Sequence, residues 1–235
     1  MARATVPAPA MTDADLFKLL RDQLFTAVVG DVLDAMGLRR QFLPPGLAPL
    51  KPDMKIAGRA MPVLEADVFD DVGSGQGPLT QQPFGLLFQA LDDLKPGEVY
   101  IANAPSLQYA LWGGLMTTRA LHLKAAGAVL DGYVRDASEI EALGLPVFSR
   151  GLYAQDQGPR GKVVDFRCSL AIGGVRITTG DLVFGDREGV LIIPKAAESE
   201  AIRRALEKMS TENKVADAIR AGMSTADAFA KFGVM

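Results

Sequence analysis

The chain has one cysteine and one histidine in 235 residues, and these two scarcities remove whole classes of chemistry. A single Cys168 cannot form an internal disulfide, so a reducing compartment, the cytoplasm, is expected. The apolar alternation of "VVDFRCSLAI" around it predicts a core thiol. A single His122 excludes histidine-rich zinc sites and leaves a Ser-His or Cys-His nucleophile only one position to use. Its setting, "TTRALHLKAAG", predicts a histidine that packs on a helix. Long apolar runs are missing as well: nothing approaches the roughly 18 residues of a membrane span, and "MARATVPAPAMTDADLF" lacks a signal-peptide core. The net charge of −3 comes without a basic stripe, which argues against a general nucleic-acid binder.

What is present is apolar content, at 49%, enough for a sizeable core in one α/β domain over residues 12–235 after a loose arm at 1–11. Thr12 or Asp13 is placed to cap a first helix. The run from Asp15 to Gly37 reads as two helices, interrupted around Thr26 to Gly30. "KIAGRAMPVLEA" reads as a strand whose Gly58 marks a close approach. Residues 70–85 form a long loop with glycines at 73, 75 and 77. Its G-x-G-x-G-P order is not the phosphate-binding G-x-G-x-x-G, and a rim loop is expected. A helix over "FGLLFQALDDL", a strand in "KPGEVYIANA", a helix from near Gly113 and a strand ending at Leu130 come next. Ser138 and Glu141 read as a capping box for a short helix. "LPVFSRG" reads as a further strand, and the alternation of Gly173 to Pro194 predicts antiparallel pairing. The last forty residues are helical by pattern.

The strand ending at Leu130 runs into a loop carrying Asp131, Arg135 and Asp136. Charged residues there are either an ordinary exit into solvent or, as in open α/β proteins, ligand groups at a strand's carboxyl end. Taken by itself, Arg135 reads most simply as a surface arginine paired with Glu139. Gly113 and Gly114, at a helix start, either permit close packing or open the first-turn N–H groups to an anion.

Together, Trp112-Gly113, "GAVLDGYVRD", "LGLPVFSRG" and "GDLVFGDREGVLIIP" resemble the family that contains the regulator of ribonuclease activity A and the class II 4-hydroxy-4-methyl-2-oxoglutarate/4-carboxy-4-hydroxy-2-oxoadipate aldolases. The likeness runs from about Thr26 to Glu212. It implies a compact α/β/β sandwich with C-terminal helices, assembled as homotrimers or homohexamers with active sites between subunits. For the aldolase branch it implies a small oxo-acid substrate, cleaved or decarboxylated through a pyruvate enolate, and Mg2+ or Mn2+ as Lewis acid in place of a lysine Schiff base. On that reading Asp136 is the metal's one direct protein ligand and Arg135 neutralises charge on the keto oxygen. Gly113, Gly114, Leu115 and Met116 hold the substrate carboxylate, and Glu212 reaches a neighbouring subunit's site. One departure stands out: the aldolases carry an acid where this chain has Gly114, and Asp70 or Asp71 is a candidate substitute. A non-catalytic ring of the ribonuclease-regulator type is the second reading. A methyltransferase would need a nucleoside-binding glycine loop after a first strand, and none is present.

Overall fold

A computed structural model describes residues 11–68 and 75–234. The elements, in chain order, are α1 (Asp13–Gln23), α2 (Thr26–Ala35), β1 (Ala48–Pro49), β2 (Ile56–Asp67), α3 (Leu87–Asp92), β3 (Glu98–Ala102), β4 (Ala110–Trp112), α4 (Gly114–His122), β5 (Gly127–Leu130), β6 (Tyr133–Val134), α5 (Ala137–Leu143), β7 (Val147–Ser149), β8 (Gly151–Leu152), β9 (Gly161–Phe166), β10 (Leu170–Ile172), β11 (Val175–Ile177), β12 (Leu182–Asp186), β13 (Gly189–Ile193), α6 (Glu198–Arg220) and α7 (Thr225–Phe232). The main sheet runs β1-β7-β5-β3-β2-β12-β13, and β9 pairs with the far half of the long β2. A second sheet, β4-β6-β8, is parallel throughout. The expected mixed α/β arrangement with C-terminal helices is what forms.

Strand alternation sorts the core onto two faces of the main sheet. In β12 and β13, Leu182, Phe184, Leu191 and Ile193 pack with α1, α2 and α6, while Val183, Val190 and Ile192 turn to the opposite side. In β3 and β5, Val99, Ile101 and Val129 share that opposite side with the β10–β11 hairpin. Tyr100, Ala102, Ala128 and Leu130 instead meet α3, α4 and the second sheet. Gly58 sits where a Cβ would lie 2.6 Å from the Gly97 carbonyl oxygen and 2.7 Å from Ala126 Cβ, the close approach expected of it.

Thr12 caps α1 by accepting from the Asp15 amide at 3.2 Å. The break between the first two helices falls at Leu24–Phe25, ahead of the Thr26–Gly30 segment expected to interrupt them. Its cause is distant in sequence: the Asp186 carboxylate accepts from the Thr26 amide at 2.8 Å and its hydroxyl at 2.7 Å, supplying the cap that Phe25 cannot. Three other expectations need correction. Cys168 lies half-buried in the turn between β9 and β10, because the chain reverses there before the alternation resumes. His122 is exposed at the last residue of α4, on the face turned from the sheet. The capping box of Ser138 and Glu141 does not form: α5 begins at Ala137, one residue before Ser138, with Asp136 in the N-cap position and its carboxylate engaged elsewhere. Residues 1–10 of the arm, and Asp70 and Asp71, lie outside the described residues. No helix among the described residues is long and apolar enough to cross a membrane.

Candidate functional site

Three short parallel strands end side by side, and the segments beyond their carboxyl ends build one site. Trp112 leads from β4 into Gly113 and α4. Val134 leads from β6 into Arg135 and Asp136. Beyond β8 the chain reaches Asp156 and Gln157. Arg135 and Asp136 therefore do not leave the strand that ends at Leu130. Two-residue β6 intervenes, and Asp131 at the exit of β5 is instead held by Arg150 Nε at 2.7 Å. The carboxyl ends of parallel strands are where α/β sheets place ligands, because loops fan out there and backbone N–H groups remain free.

Asp136 has left-handed backbone angles (φ 59°, ψ 33°), which cost a non-glycine residue free energy and which aspartate tolerates better than most. That conformation turns its carboxylate back across the sheet, where Oδ2 accepts from the Gly114 amide at 3.0 Å. Gly114 is the first residue of α4, so an acid 22 positions away caps the helix. The next two amides of the first turn, those of Leu115 and Met116, have no partner among the described residues. They are available to an anion. Trp112 is fixed by a 2.7 Å hydrogen bond from Nε1 to Thr117 Oγ1 and by its ring 5.0 Å from that of Tyr100. The guanidinium of Arg135 is braced by Asp156, Nη1 to Oδ1 2.9 Å, and lies 3.9 Å from Asp136. Arg135 thus pairs with Asp156 rather than with Glu139, the partner its local sequence suggests.

Glu139 has a different position. A Cβ built on Gly114 would overlap the Glu139 carboxylate, so that carboxylate occupies the space a side chain at 114 would fill. A Cβ on Gly113 would lie 2.8 Å from Asp136 Oδ2. Asp136 at the N-cap of α5 and Glu139 within it thus flank the two glycines, and a carboxylate that the sequence does not single out lies over position 114. Its only local signal is the three-residue step from Asp136, which sets the two on one side of a helical turn. Among the described residues no group of three or more acidic, histidine or cysteine side chains surrounds a metal position. A single carboxylate with the remaining positions left to water and substrate oxygens is a donor set that magnesium accepts, and Asp136 fits it.

A cavity of about 300 Å³ opens beside these groups, its lining including the polar Arg135, Asp136, Asp156 and Gln157 and the apolar Phe84, Leu87, Phe88, Leu115 and Met116. Of the expected substrate-binding segment, Gly113, Leu115 and Met116 line the cavity that Arg135 and Asp136 enter, and Gly114 does not. Glu212 does not line it: on α6, its Oε1 is 2.8 Å from Lys208 Nζ, which also reaches Asp31 at 3.2 Å.

Fold and site together define an α/β protein in which the edge of a small parallel sheet gathers Arg135, Asp136 and the first turn of α4. A family profile for RraA-like proteins, Aldolase/RraA, matches residues 26–192, and the chain belongs to that family. It is 30% identical over 224 residues to protein DlpA of Legionella pneumophila, covering 92% of this chain and 34% of DlpA. It is 32% identical over 127 residues to a Halalkalibacterium halodurans protein named, provisionally, a 4-hydroxy-4-methyl-2-oxoglutarate aldolase, covering 54% of this chain and 60% of that one. The chain therefore spans about a third of the first and three-fifths of the second. Among solved structures, a Pseudomonas syringae protein superposes with TM-score 0.76 at 26% identity over 92% of this chain and 96% of its own. RraAS2 of Streptomyces coelicolor, described as an unusual member of the RNase ES inhibitor RraA family, superposes with TM-score 0.75 at 24% identity over 88% and 98%, which speaks for the fold.

Proposed function

We propose that this chain is a divalent-metal-dependent lyase that releases pyruvate from a 4-hydroxy-2-oxo acid, and that it also decarboxylates oxaloacetate. The observation that carries the reading is the convergence on one cavity of Asp136, the braced Arg135 and the α4 turn whose Leu115 and Met116 amides have no partner among the described residues, with the Glu139 carboxylate beside them in the space above Gly114. Aldolase names among relatives at about 30% identity support the same class. Asp136 is the group that would hold Mg2+ or Mn2+, and the bound ion would supply Lewis-acid stabilisation of developing enolate charge.

The protein's own groups divide the remaining work. The Leu115 and Met116 amides, at the positive end of α4, receive the substrate carboxylate. Arg135, held in place by Asp156, turns its remaining N–H donors to the keto oxygen, where negative charge grows as the C3–C4 bond breaks. Glu139 takes the C4 hydroxyl proton. Decarboxylation of oxaloacetate removes no such proton, so the two reactions make different demands on Glu139. Glu139→Gln is expected to lower aldol cleavage about 10- to 100-fold and to lower oxaloacetate decarboxylation less, both measured by pyruvate release with and without magnesium. Equal losses in both reactions would take the proton-accepting role from Glu139. No pyruvate from either substrate, with or without metal, would overturn the lyase reading in favour of a non-catalytic protein.

The proposal includes a homotrimer or homohexamer, in which Glu212 approaches the site of an adjoining subunit. Light scattering at micromolar concentration is expected to give three or six times the 25.0 kDa chain mass. A 25.0 kDa particle would remove Glu212 from the site.

A further inference from the structure

The pair that braces Arg135 is partly exposed on both sides, and ion pairs of that kind are individually weak. Asp156 therefore orients the guanidinium only as well as its own segment is held. Between β8 and β9, from Tyr153 to Arg160, the chain has no helix or strand. One end is tied to β4, where the Ala110 amide donates to the Gln155 carbonyl at 2.9 Å, and the other to the end of β2, where the Val68 amide donates to the Arg160 carbonyl at 2.9 Å. Local bonds shape the turn between them: the Arg160 and Gly161 amides donate to the Gln157 carbonyl at 2.7 and 2.9 Å, and the Gly158 amide donates to Asp156 Oδ2 at 2.9 Å. The bond that carries the turn into the core is a side-chain one, from Gln157 Nε2 to Glu65 Oε2 at 2.9 Å.

Glu65 and Gln157 are 3% and 5% exposed within the one chain, so this bond is internal to the subunit whatever assembles around the cavity. β2 and β9 break register beside it, with Leu64 opposite Asp165 and Glu65 opposite Val163, and such a break re-aims the neighbouring side chains. The Asn103 side chain takes up both main-chain groups of Glu65, accepting from its amide at 2.9 Å and donating to its carbonyl at 3.3 Å. A buried carboxylate with one oxygen unpartnered among the described residues disfavours folding, so what Glu65 contributes is not stability but the group it holds. Resting on the lyase reading above, we infer that Glu65 and Gln157 are positioning residues for the reaction. The buried carboxylate fixes Gln157, Gln157 fixes the adjacent Asp156, and Asp156 holds Arg135 where its donors meet the keto oxygen. A misplacement of about 1 Å at such a group costs about 100-fold in rate.

Glu65→Leu fills similar space and removes the acceptor, whereas Glu65→Gln keeps it. With magnesium, kcat for pyruvate release is expected to fall about 10- to 100-fold in Glu65→Leu, with KM and calorimetric magnesium affinity unchanged, and to stay within about two-fold of the parent in Glu65→Gln. Gln157→Met breaks the same bond from the loop side and is expected to reproduce the loss. Because the effect passes through the guanidinium, adding Glu65→Leu to Arg135→Lys is expected to cost less than about a further two-fold. Crystal structures of the two Glu65 variants read the geometry apart from turnover: the Arg135–Asp156 pair should be lost in Glu65→Leu and kept in Glu65→Gln. Full activity in Glu65→Leu and Gln157→Met, or a loss as large in the Arg135→Lys background as in the parent, would overturn the positioning role and leave the lyase reading intact. A guanidinium displaced in Glu65→Leu, in a protein whose parent releases no pyruvate from any substrate, would overturn the lyase reading while the hold on Arg135 stands.

Discussion

Asp136→Asn is expected to leave the protein folded with an unchanged melting temperature while abolishing metal binding and lowering pyruvate release by about 10^2- to 10^3-fold or more. The two parts separate because Asp136 does two jobs. Its left-handed backbone and its hydrogen bond from the Gly114 amide are structural. Asparagine tolerates the same backbone region and keeps an oxygen that can accept the same bond. Only the negative charge is removed. Asp136→Ala would add the loss of the α4 cap, about 1 kcal/mol, to the strain of alanine in that region, and would confuse a folding defect with a chemical one. Titration calorimetry with magnesium, run beside thermal melting, distinguishes them. Asparagine at 136 with metal-stimulated release intact would end the proposed mechanism. Arg135→Lys complements it: charge is kept, the planar fork that spans Asp156 and the substrate is lost, and turnover should fall while metal binding survives.

The second large effect concerns stability. Glu65 is 3% exposed in β2, with Oε2 accepting from Gln157 Nε2 at 2.9 Å and Oε1 without a partner among the described residues. Burial pushes its carboxyl up to about 8 from 4.5; the Gln157 hydrogen bond acts against that shift, and the nearby Asp67 charge adds to it. The groups facing it are Asp67, the Tyr109 hydroxyl that donates to Asp67 at 3.0 Å, and the buried Tyr100 hydroxyl. Below pH 4.5 the side chain is protonated in folded and unfolded chains alike and costs nothing. Between 4.5 and 8 the unfolded chain releases the proton and the folded one keeps it, so folding stability falls as pH rises. Above about 8 the loss is constant, on the order of 5 kcal/mol. Glu65→Gln keeps the acceptor for Gln157 and removes the titration. Denaturant midpoints of the two proteins should converge near pH 4 and separate by pH 8, with the variant the more stable. Parallel pH profiles would show that Glu65 ionises normally. Because Gln157 lines the cavity next to Asp156, the brace of Arg135, Glu65 also anchors the segment that orients the guanidinium.

Much of the architecture could be read along the chain because it depends on short-range periodicity. The alternation of Gly173 to Pro194, the caps of α1 and the apolar strand Gly127–Leu130 each needs only neighbours within a few residues. Arg135, Asp136 and Gly113–Met116 were legible as contiguous motifs, and the structure brings all of them but Gly114 into the lining of one cavity. The sheet that aligns them was not. Strands of two or three residues are too short to show a period, and β4, β6 and β8 exist because parallel neighbours hydrogen-bond them. The local capping signal at Ser138 and Glu141 failed for a related reason: Asp136 commits its carboxylate to an amide 22 residues back, and the helix starts from that tertiary contact.

Which acidic side chain lies over Gly114 was likewise decided in three dimensions. Sequence alone determined that position 114 has no side chain. Placing the Glu139 carboxylate over it requires α5 to start beside α4, which results from β4 and β6 ending together. Glu65 and Gln157 are 92 residues apart and meet only inside the folded core. Composition and spacing carry information about bonds a chain makes with its near neighbours. Contacts whose free energy comes from excluding water between distant segments have no periodic trace, and the folded structure alone decides them.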